Sequence, residues 1–167
     1  IKFSLDHIKK QVSISISDFG HGMSREVVIN KWLIPSTDDK LKRKKSPRGR
    51  TMQGQKGLGR YAAAILGNNL TMTTISGLGD KTVVEVDWDQ FDNAEFMDQV
   101  TLPVTTEKVD DTSQTIIKIV GVGEYYNFWK SNEYNNLKFE LKKLVSPIHD
   151  SDGIGSFEVF LEIDDIR

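Results

Sequence analysis

Residues 18–23 have the sequence DFGHGM and directly follow residues 12–17, VSISIS, in which apolar and polar side chains alternate. Such alternation predicts a half-buried strand that ends at Asp18. An acidic side chain at the end of a strand, followed by Gly20 and Gly22, predicts a tight turn, because glycine adopts backbone conformations that other residues avoid. The segment therefore predicts both a strand of a sheet and an accessible backbone at the end of that strand.

The turn at residues 18–23 suits a flat ligand that carries an amino group. A buried Asp18 carboxylate would accept a hydrogen bond from an exocyclic amine, the donor that distinguishes adenine from guanine at that edge. Gly20 and Gly22 would leave room for the base to lie against the backbone. Taken alone, the pattern is more simply interpreted as an Asp-containing turn, because patterns this short are common.

A second glycine-rich stretch, residues 54–60, reads GQKGLGR and precedes a run that favours a helix up to Leu66. Backbone N–H groups at a helix start form an anion site, and glycine lets a phosphate approach. Lys56 and Arg60 add positive charge. The stretch lacks the Gly-Lys-Ser/Thr of a P-loop, and it follows a basic segment instead of the strand of a dinucleotide fingerprint. A glycine-rich loop without a ligand is the alternative interpretation.

Residues 36–53, between the two glycine motifs, differ in composition from the rest of the chain. They are nearly free of apolar side chains, which predicts a long loop, and such loops in compact domains are often functional lids. A solvated loop near a triphosphate explains their charge more simply than a nucleic-acid site does. The cationic residues are Lys40, Lys42, Arg43, Lys44, Lys45, Arg48 and Arg50.

The two motifs in this order, with a basic loop between them, resemble the GHKL ATPase superfamily of gyrase B, the large heat-shock chaperone, histidine kinases and MutL. That family shares the Bergerat nucleotide-binding fold. Residues 18–23 look like its adenine motif, residues 54–59 like its second glycine box, and residues 34–54 occupy the place of its ATP lid. The sequence of residues 54–60 is most similar to the chaperone-like and MORC-like branches of the family.

Residues 113–117, SQTII, are similar to a later strand of the family whose threonine supports the adenine-binding aspartate. Gln114 stands where the family usually has a glycine. The resemblance extends over roughly residues 1–120 and implies ATP and ADP as ligands. The residues that it implies in nucleotide binding are Asp18, Gly20, Gly22, Met23, Lys56, Gly57, Leu58, Gly59, Arg60 and Thr115.

The family also has an earlier helix, with a glutamate that activates water and an asparagine that holds Mg²⁺. That helix should precede Ile1, so we expect the chain to be a fragment of a longer ATPase, with the general base and the magnesium ligand outside it. Glu26 and Asn30 share a helix face, but they follow the adenine motif and are interpreted as surface residues. The resemblance thus assigns no catalytic residue here.

The resemblance and the hydrophobic patterns together predict one α+β domain over residues 1–167, a Bergerat-type two-layer sandwich with a mixed, mostly antiparallel sheet and helices on one face. Residues 1–5 and 12–17 should form an antiparallel hairpin. The other predicted strands are 70–76 paired with 82–88, 100–109 paired with 115–120, and 157–163. The predicted helices are 24–33, 57–66 and 134–144, and residues 91–98 should be irregular.

Composition limits the class of protein. Hydrophobic residues make up 38% of the chain, enough for a packed core, and the net charge of −2 argues against a surface tuned as a whole to nucleic acid. Cysteine is absent, which excludes disulfides and thiolate metal sites, and no apolar run approaches a membrane span. The resemblance implies a lid whose closure is coupled to a partner or to homodimerisation, and we expect the protein to be cytoplasmic.

Two alternatives to ATP binding stay open on sequence alone. The first is a degenerate, non-catalytic interaction domain that keeps the fold but has lost the nucleotide. The second is a nucleic-acid-binding domain acting through the basic lid. It predicts that DNA or RNA binding weakens steeply with salt and with removal of charge at residues 42–45.

Overall fold

The computed structural model describes residues 1–34, 62–95, 100–143 and 159–166. The strands within these ranges are β1 (Lys2–Asp6), β2 (Gln11–Asp18), β3 (Asn69–Ile75), β4 (Asp80–Asp87), β5 (Val104–Lys108), β6 (Gln114–Val122) and β7 (Glu162–Ile166). The α-helices are α1 (Arg25–Val27), α2 (Asp89–Asn93), α3 (Glu124–Phe128) and α4 (Tyr134–Lys142). π-Helical turns at Val28–Trp32 and Trp129–Glu133 continue α1 and α3, and a 3₁₀ turn spans Ala63–Ile65.

The seven strands form one sheet in the order β5-β4-β3-β6-β2-β1-β7. Neighbouring strands are antiparallel except for β1 and β7, which are parallel. A mostly antiparallel mixed sheet with helices packed against it is the α+β architecture that the sequence predicts, and this prediction is confirmed.

One face of the sheet carries the core. Inward side chains alternate with outward ones along β2, where Val12 and Ile14 are buried and the serines between them are more exposed. Val28 from the turn after α1 and Trp129 from the turn after α3 join the same cluster. The Trp129 ring lies 5.1 Å from the ring of Phe3 in β1. The helices are therefore held by apolar burial, worth about 1.5–3 kcal/mol for each large buried side chain.

The two hairpins are found as predicted. In the first, Phe3 lies opposite Ile14 and Asp6 opposite Gln11. The second joins β3 and β4 through a turn at Ser76, whose hydroxyl accepts the Leu78 and Asp80 amides at 3.3 and 3.2 Å.

The predicted pairing of residues 100–109 with 115–120 is wrong. Both strands exist, but β5 pairs with β4 at the sheet edge, whereas β6 lies between β2 and β3. Their side chains explain the difference: Thr105, Thr106 and Glu107 are exposed, as suits an edge, whereas β6 carries isoleucine or valine on both faces.

Three smaller predictions need revision or extension. Ser24 caps α1 by accepting the Val27 amide at 3.4 Å, but the helix continues as a π-helical turn. Residues 91–98 are not wholly irregular, because α2 spans Asp89–Asn93, and the Asn93 side chain donates to the Asp89 carbonyl at 2.7 Å. The terminal strand is Glu162–Ile166, which begins later than predicted.

Parts of the prediction fall on residues that lie outside the described ranges. These parts include the lid at 34–54, apart from Ile34, and residues 57–61 of the helix predicted at 57–66. In the ranges that are described, no helix is long and apolar enough to cross a membrane.

Candidate functional site

The ends of three neighbouring strands bring Asp18, Thr115 and Thr74 into one row. Asp18 at the end of β2 lies opposite Thr115 in β6, and Thr115 lies opposite Thr74 in β3. Directly opposed residues share a sheet face, so all three side chains lie on the face that carries the core. The row continues through Thr82 and Thr106, which oppose each other in β4 and β5.

The core face opens at the Asp18 end of this row. Along β2 the inward side chains change from buried at Val12 and Ile14 to 41% exposed at Ile16, and Asp18 is exposed. Asp18 is therefore not the buried acceptor that the sequence suggests. The strand instead carries Ile16 and Asp18 to the exposed end of this face, where an apolar side chain lies next to a carboxylate. We refer to this exposed end of the core face, at Ile16 and Asp18, as the Asp18 cleft.

The Asp18 carboxylate is oriented by the turn that follows it. Its Oδ1 accepts a hydrogen bond from the Gly20 amide at 2.9 Å. A carboxylate has about four acceptor positions, so most of its hydrogen-bonding capacity is available to a ligand. A β-carbon at position 20 would lie 2.6 Å from this oxygen, so glycine keeps the carboxylate where it is.

Gly22 packs against the end of β3. Its φ is +62°, and a β-carbon here would lie 1.8 Å from the Ile75 carbonyl oxygen. The requirement for glycine therefore has two causes, a left-handed backbone and a backbone contact closer than any side chain allows. On this side of Gly22 the space is filled by the sheet itself.

Two hydroxyl groups hold the turn in place. Ser113 Oγ, just before β6, donates to the Gly20 carbonyl at 2.8 Å, and the Met23 amide donates to Thr74 Oγ1 at 2.9 Å. Ser113 belongs to the predicted strand motif without a predicted role, and Thr74 is not among the residues predicted in the site. A signal for Thr74 exists, because it follows Leu70 and Met72 at the inward positions of β3, where a polar side chain is unusual.

The departure at Gln114 has a structural explanation. Gln114 is a regular strand residue paired with Ile75, and it has no positive φ, so its backbone does not require glycine. Since successive strand residues alternate in direction, its side chain lies on the opposite face from Thr115. Gln114 therefore does not fill the cleft beside Asp18.

Among the sequence-predicted site residues, the structure brings together those of the first motif and the β6 strand: Asp18, Gly20, Gly22, Met23 and Thr115. Those of the second motif lie outside the described residues: Lys56, Gly57, Leu58, Gly59 and Arg60. In the described part of the chain, no three His, Asp or Glu side chains converge on one point.

A cavity of about 430 Å³ lies elsewhere, lined by Asp87, Asp89, Gln90, Asn93, Ala94 and Val100. Asp87 is at the far end of β4 from Thr82, roughly 17 Å along the strand at 3.3 Å per residue. The cavity is thus separate from the Asp18 cleft. None of the residues that the sequence predicts in the site lines it.

Comparison with known proteins gives one family match. Residues 1–118 match the family described as histidine kinase-, DNA gyrase B-, and HSP90-like ATPase. No curated protein sequence matches the chain. Among solved structures, the ATPase region of Saccharomyces cerevisiae topoisomerase II aligns with 11% identity and a TM-score of 0.48 over 76% of this chain. The alignment spans 33% of the topoisomerase chain.

Proposed function

Because the chain belongs to the histidine kinase-, DNA gyrase B- and HSP90-like ATPase family, we propose that it binds ATP with the adenine base in the Asp18 cleft. The observation that carries this proposal is the cross-strand row. It sets an exposed carboxylate beside Thr115, which is backed by the buried Thr74. A carboxylate fixed at a strand end is suited to an exocyclic amine, because it accepts hydrogen bonds and donates none when ionised.

The cleft offers a polar and an apolar element within the length of one base. Asp18 would accept the adenine amine, while Ile16, two residues earlier on the same face, would cover part of the ring. Two residues of a strand span about 6.6 Å, comparable to the length of a purine. Small-molecule sites usually combine apolar walls with a few fixed polar groups.

The triphosphate would extend from this cleft toward the second glycine motif. We assign the phosphates to the amides of Gly57, Leu58 and Gly59, with Lys56 and Arg60 as charge partners, because glycine-rich loops before helices bind anions. Residues 34–54 would act as the lid, and its closure would couple the nucleotide to a partner or a second copy. Bound Mg²⁺ would neutralise phosphate charge, and none of the residues described here is assigned to hold it.

Two finer assignments rest on the resemblance alone. The sequence of residues 54–60 favours the chaperone-like or MORC-like branch of the family. Residues 1–167 would form a single nucleotide-binding domain. We also propose that the chain binds ADP as well as ATP and that the protein is cytoplasmic.

ATP should raise the midpoint of thermal unfolding. A ligand at about 100 times its Kd stabilises the native state by about 2.7 kcal/mol, which for a domain of this size corresponds to roughly 5–10 °C. The measurement is differential scanning calorimetry of the chain with ATP and Mg²⁺, with GTP and Mg²⁺ at equal concentration as the control. Equal shifts with both nucleotides would contradict adenine recognition by Asp18, and no shift would support the degenerate interaction domain.

A further inference from the structure

Thr74 is a buried hydroxyl at the centre of the sheet. Its side chain is fully buried, between Met72 on its own strand and the β4 and β6 strands on either side. A polar atom in this position costs free energy unless it is hydrogen-bonded, typically about 1–3 kcal/mol. The surroundings of Thr74 show where that requirement is met.

The hydrogen bonds of Thr74 connect it to the turn at residues 18–23 and to the start of β6. Thr74 Oγ1 donates to the Gln114 carbonyl at 3.2 Å and accepts the Met23 amide at 2.9 Å. It also lies 3.0 Å from Thr115 Oγ1. A hydroxyl has one hydrogen and two acceptor positions, so Thr115 donates in this arrangement and Thr74 is fully satisfied.

The Met23 bond fixes the far end of the turn that orients Asp18. Asp18 itself is held at the near end by β2 and by its contact with the Gly20 amide. Between these ends, Gly22 rests on the backbone of Ile75, the residue after Thr74. A shift of the Met23 amide away from Thr74 would therefore move Gly22 and Gly20, and with them the partner of the Asp18 carboxylate.

From these contacts we propose that Thr74 is a positioning residue for base recognition. Its hydroxyl sets the place of the turn at residues 18–23 relative to Asp18 and Thr115, and so determines adenine affinity and selectivity without touching the nucleotide. The inference rests on the proposed ATP site. It adds a residue from β3, a strand that neither glycine motif includes.

Thr82 provides a matched comparison within the same row. It is as fully buried as Thr74 and lies directly opposite it in β4. Its hydroxyl, however, pairs with Thr106 Oγ1 at 3.3 Å toward the sheet edge, away from the turn. Loss of the Thr82 hydroxyl should therefore affect stability alone, whereas loss of the Thr74 hydroxyl should affect the site as well.

The experiment compares the wild-type chain with Thr74→Val, Thr74→Ser and Thr82→Val. Valine preserves the shape of threonine and removes the hydroxyl, whereas serine keeps the hydroxyl and removes the methyl group. Isothermal titration calorimetry at a temperature where each variant is folded gives the Kd for ATP and for inosine triphosphate, which lacks the adenine amine. We expect Thr74→Val to weaken ATP binding about tenfold and to reduce the preference for ATP over inosine triphosphate. Thr74→Ser and Thr82→Val should stay within about threefold of wild type.

Each outcome decides for or against the role of Thr74. An unchanged ATP Kd in Thr74→Val would overturn it, as would failure of serine to restore binding or an equal loss in Thr82→Val. If Thr74→Val does not fold, hydrogen exchange of the Met23 amide in the wild-type chain decides instead. Protection of at least about 100-fold supports the hydrogen bond from the Met23 amide to Thr74, and exchange at the rate of an unstructured amide contradicts it. A wild-type chain that does not bind ATP would overturn the proposed function itself.

Discussion

Asp18→Asn is expected to weaken ATP binding by about 100-fold or more while leaving the fold intact. A hydrogen bond to a charged acceptor contributes about 1.5–3 kcal/mol, and a tenfold change in Kd corresponds to about 1.4 kcal/mol. The substitution removes the charge and also presents a donor to the adenine amine. Isothermal titration calorimetry with ATP measures the loss.

The direction in which the substituted side chain would point follows from the turn. Because the Gly20 amide donates to Oδ1 of Asp18 at 2.9 Å, the amide oxygen of an asparagine would take that place and its NH₂ group would face the cleft. Two donors would then oppose each other at the position of the adenine amine. This orientation is why a nearly isosteric change should have a large effect on binding.

Asp6→Asn is the matched control for this substitution. Asp6 also ends a strand and accepts backbone amides, from Ile8 and Lys9 at 2.9 and 2.8 Å, but at the opposite end of the sheet. We expect its ATP affinity to match the wild type within about twofold. Both variants should unfold within about 2 °C of the wild type, because the side-chain oxygen of asparagine can accept the same backbone amides. Wild-type affinity in Asp18→Asn would disprove the assignment of Asp18.

Gly22→Ala should have the largest effect on stability. Alanine at a φ of +62° costs about 1–2 kcal/mol, and its methyl group would meet the Ile75 carbonyl oxygen at 1.8 Å, so the turn or β3 must move. Together we expect a loss of about 3 kcal/mol in the free energy of unfolding and a fall of roughly 6–12 °C in Tm. Urea denaturation and calorimetry measure both quantities.

Gly77→Ala separates this effect from the general consequence of replacing a glycine. Gly77 is exposed in the turn between β3 and β4, a β-carbon there would have no heavy atom within 4 Å, and its φ is not positive. Its stability should change by no more than about 0.5 kcal/mol. Equal stability losses in the two variants would show that the contact between Gly22 and Ile75 is unimportant. The folded fraction of Gly22→Ala should also bind ATP more weakly, because the turn carries Asp18's partner.

Local pattern was enough to predict the position of Asp18 at a strand end and the glycine turn behind it. Alternation along β2 is a property of eight consecutive residues, and the turn depends on residues that lie next to each other. The β1–β2 and β3–β4 hairpins were predictable for the same reason, since each joins strands adjacent in sequence.

Contacts between distant segments were not predictable in this way. The proposed role of Thr74 depends on β3 lying beside β6. This pairing places Thr74 next to Thr115, 41 positions later in the chain, and an alternating pattern does not specify which strand lies beside another. The predicted pairing of β5 with β6 was wrong for the same reason. Closeness in sequence favoured a hairpin between them, whereas the exposed side chains of β5 suit the sheet edge beside β4. Thr74 was thus recognisable as an unusual polar residue, but its partners were not.

Backbone amide chemical shifts measured by NMR during titration with ATP and Mg²⁺ test the site most directly. ATP binding as proposed should give saturable shifts at Gly20, Gly22, Met23 and Thr115, and at Gly57, Leu58 and Gly59 where the phosphates are assigned. Lys9, Lys10 and Val122, at the opposite end of β2 and β6, should show little change. Absence of saturable shifts, or shifts concentrated around the cavity beside Asp87 and Asn93, would contradict ATP binding in the Asp18 cleft.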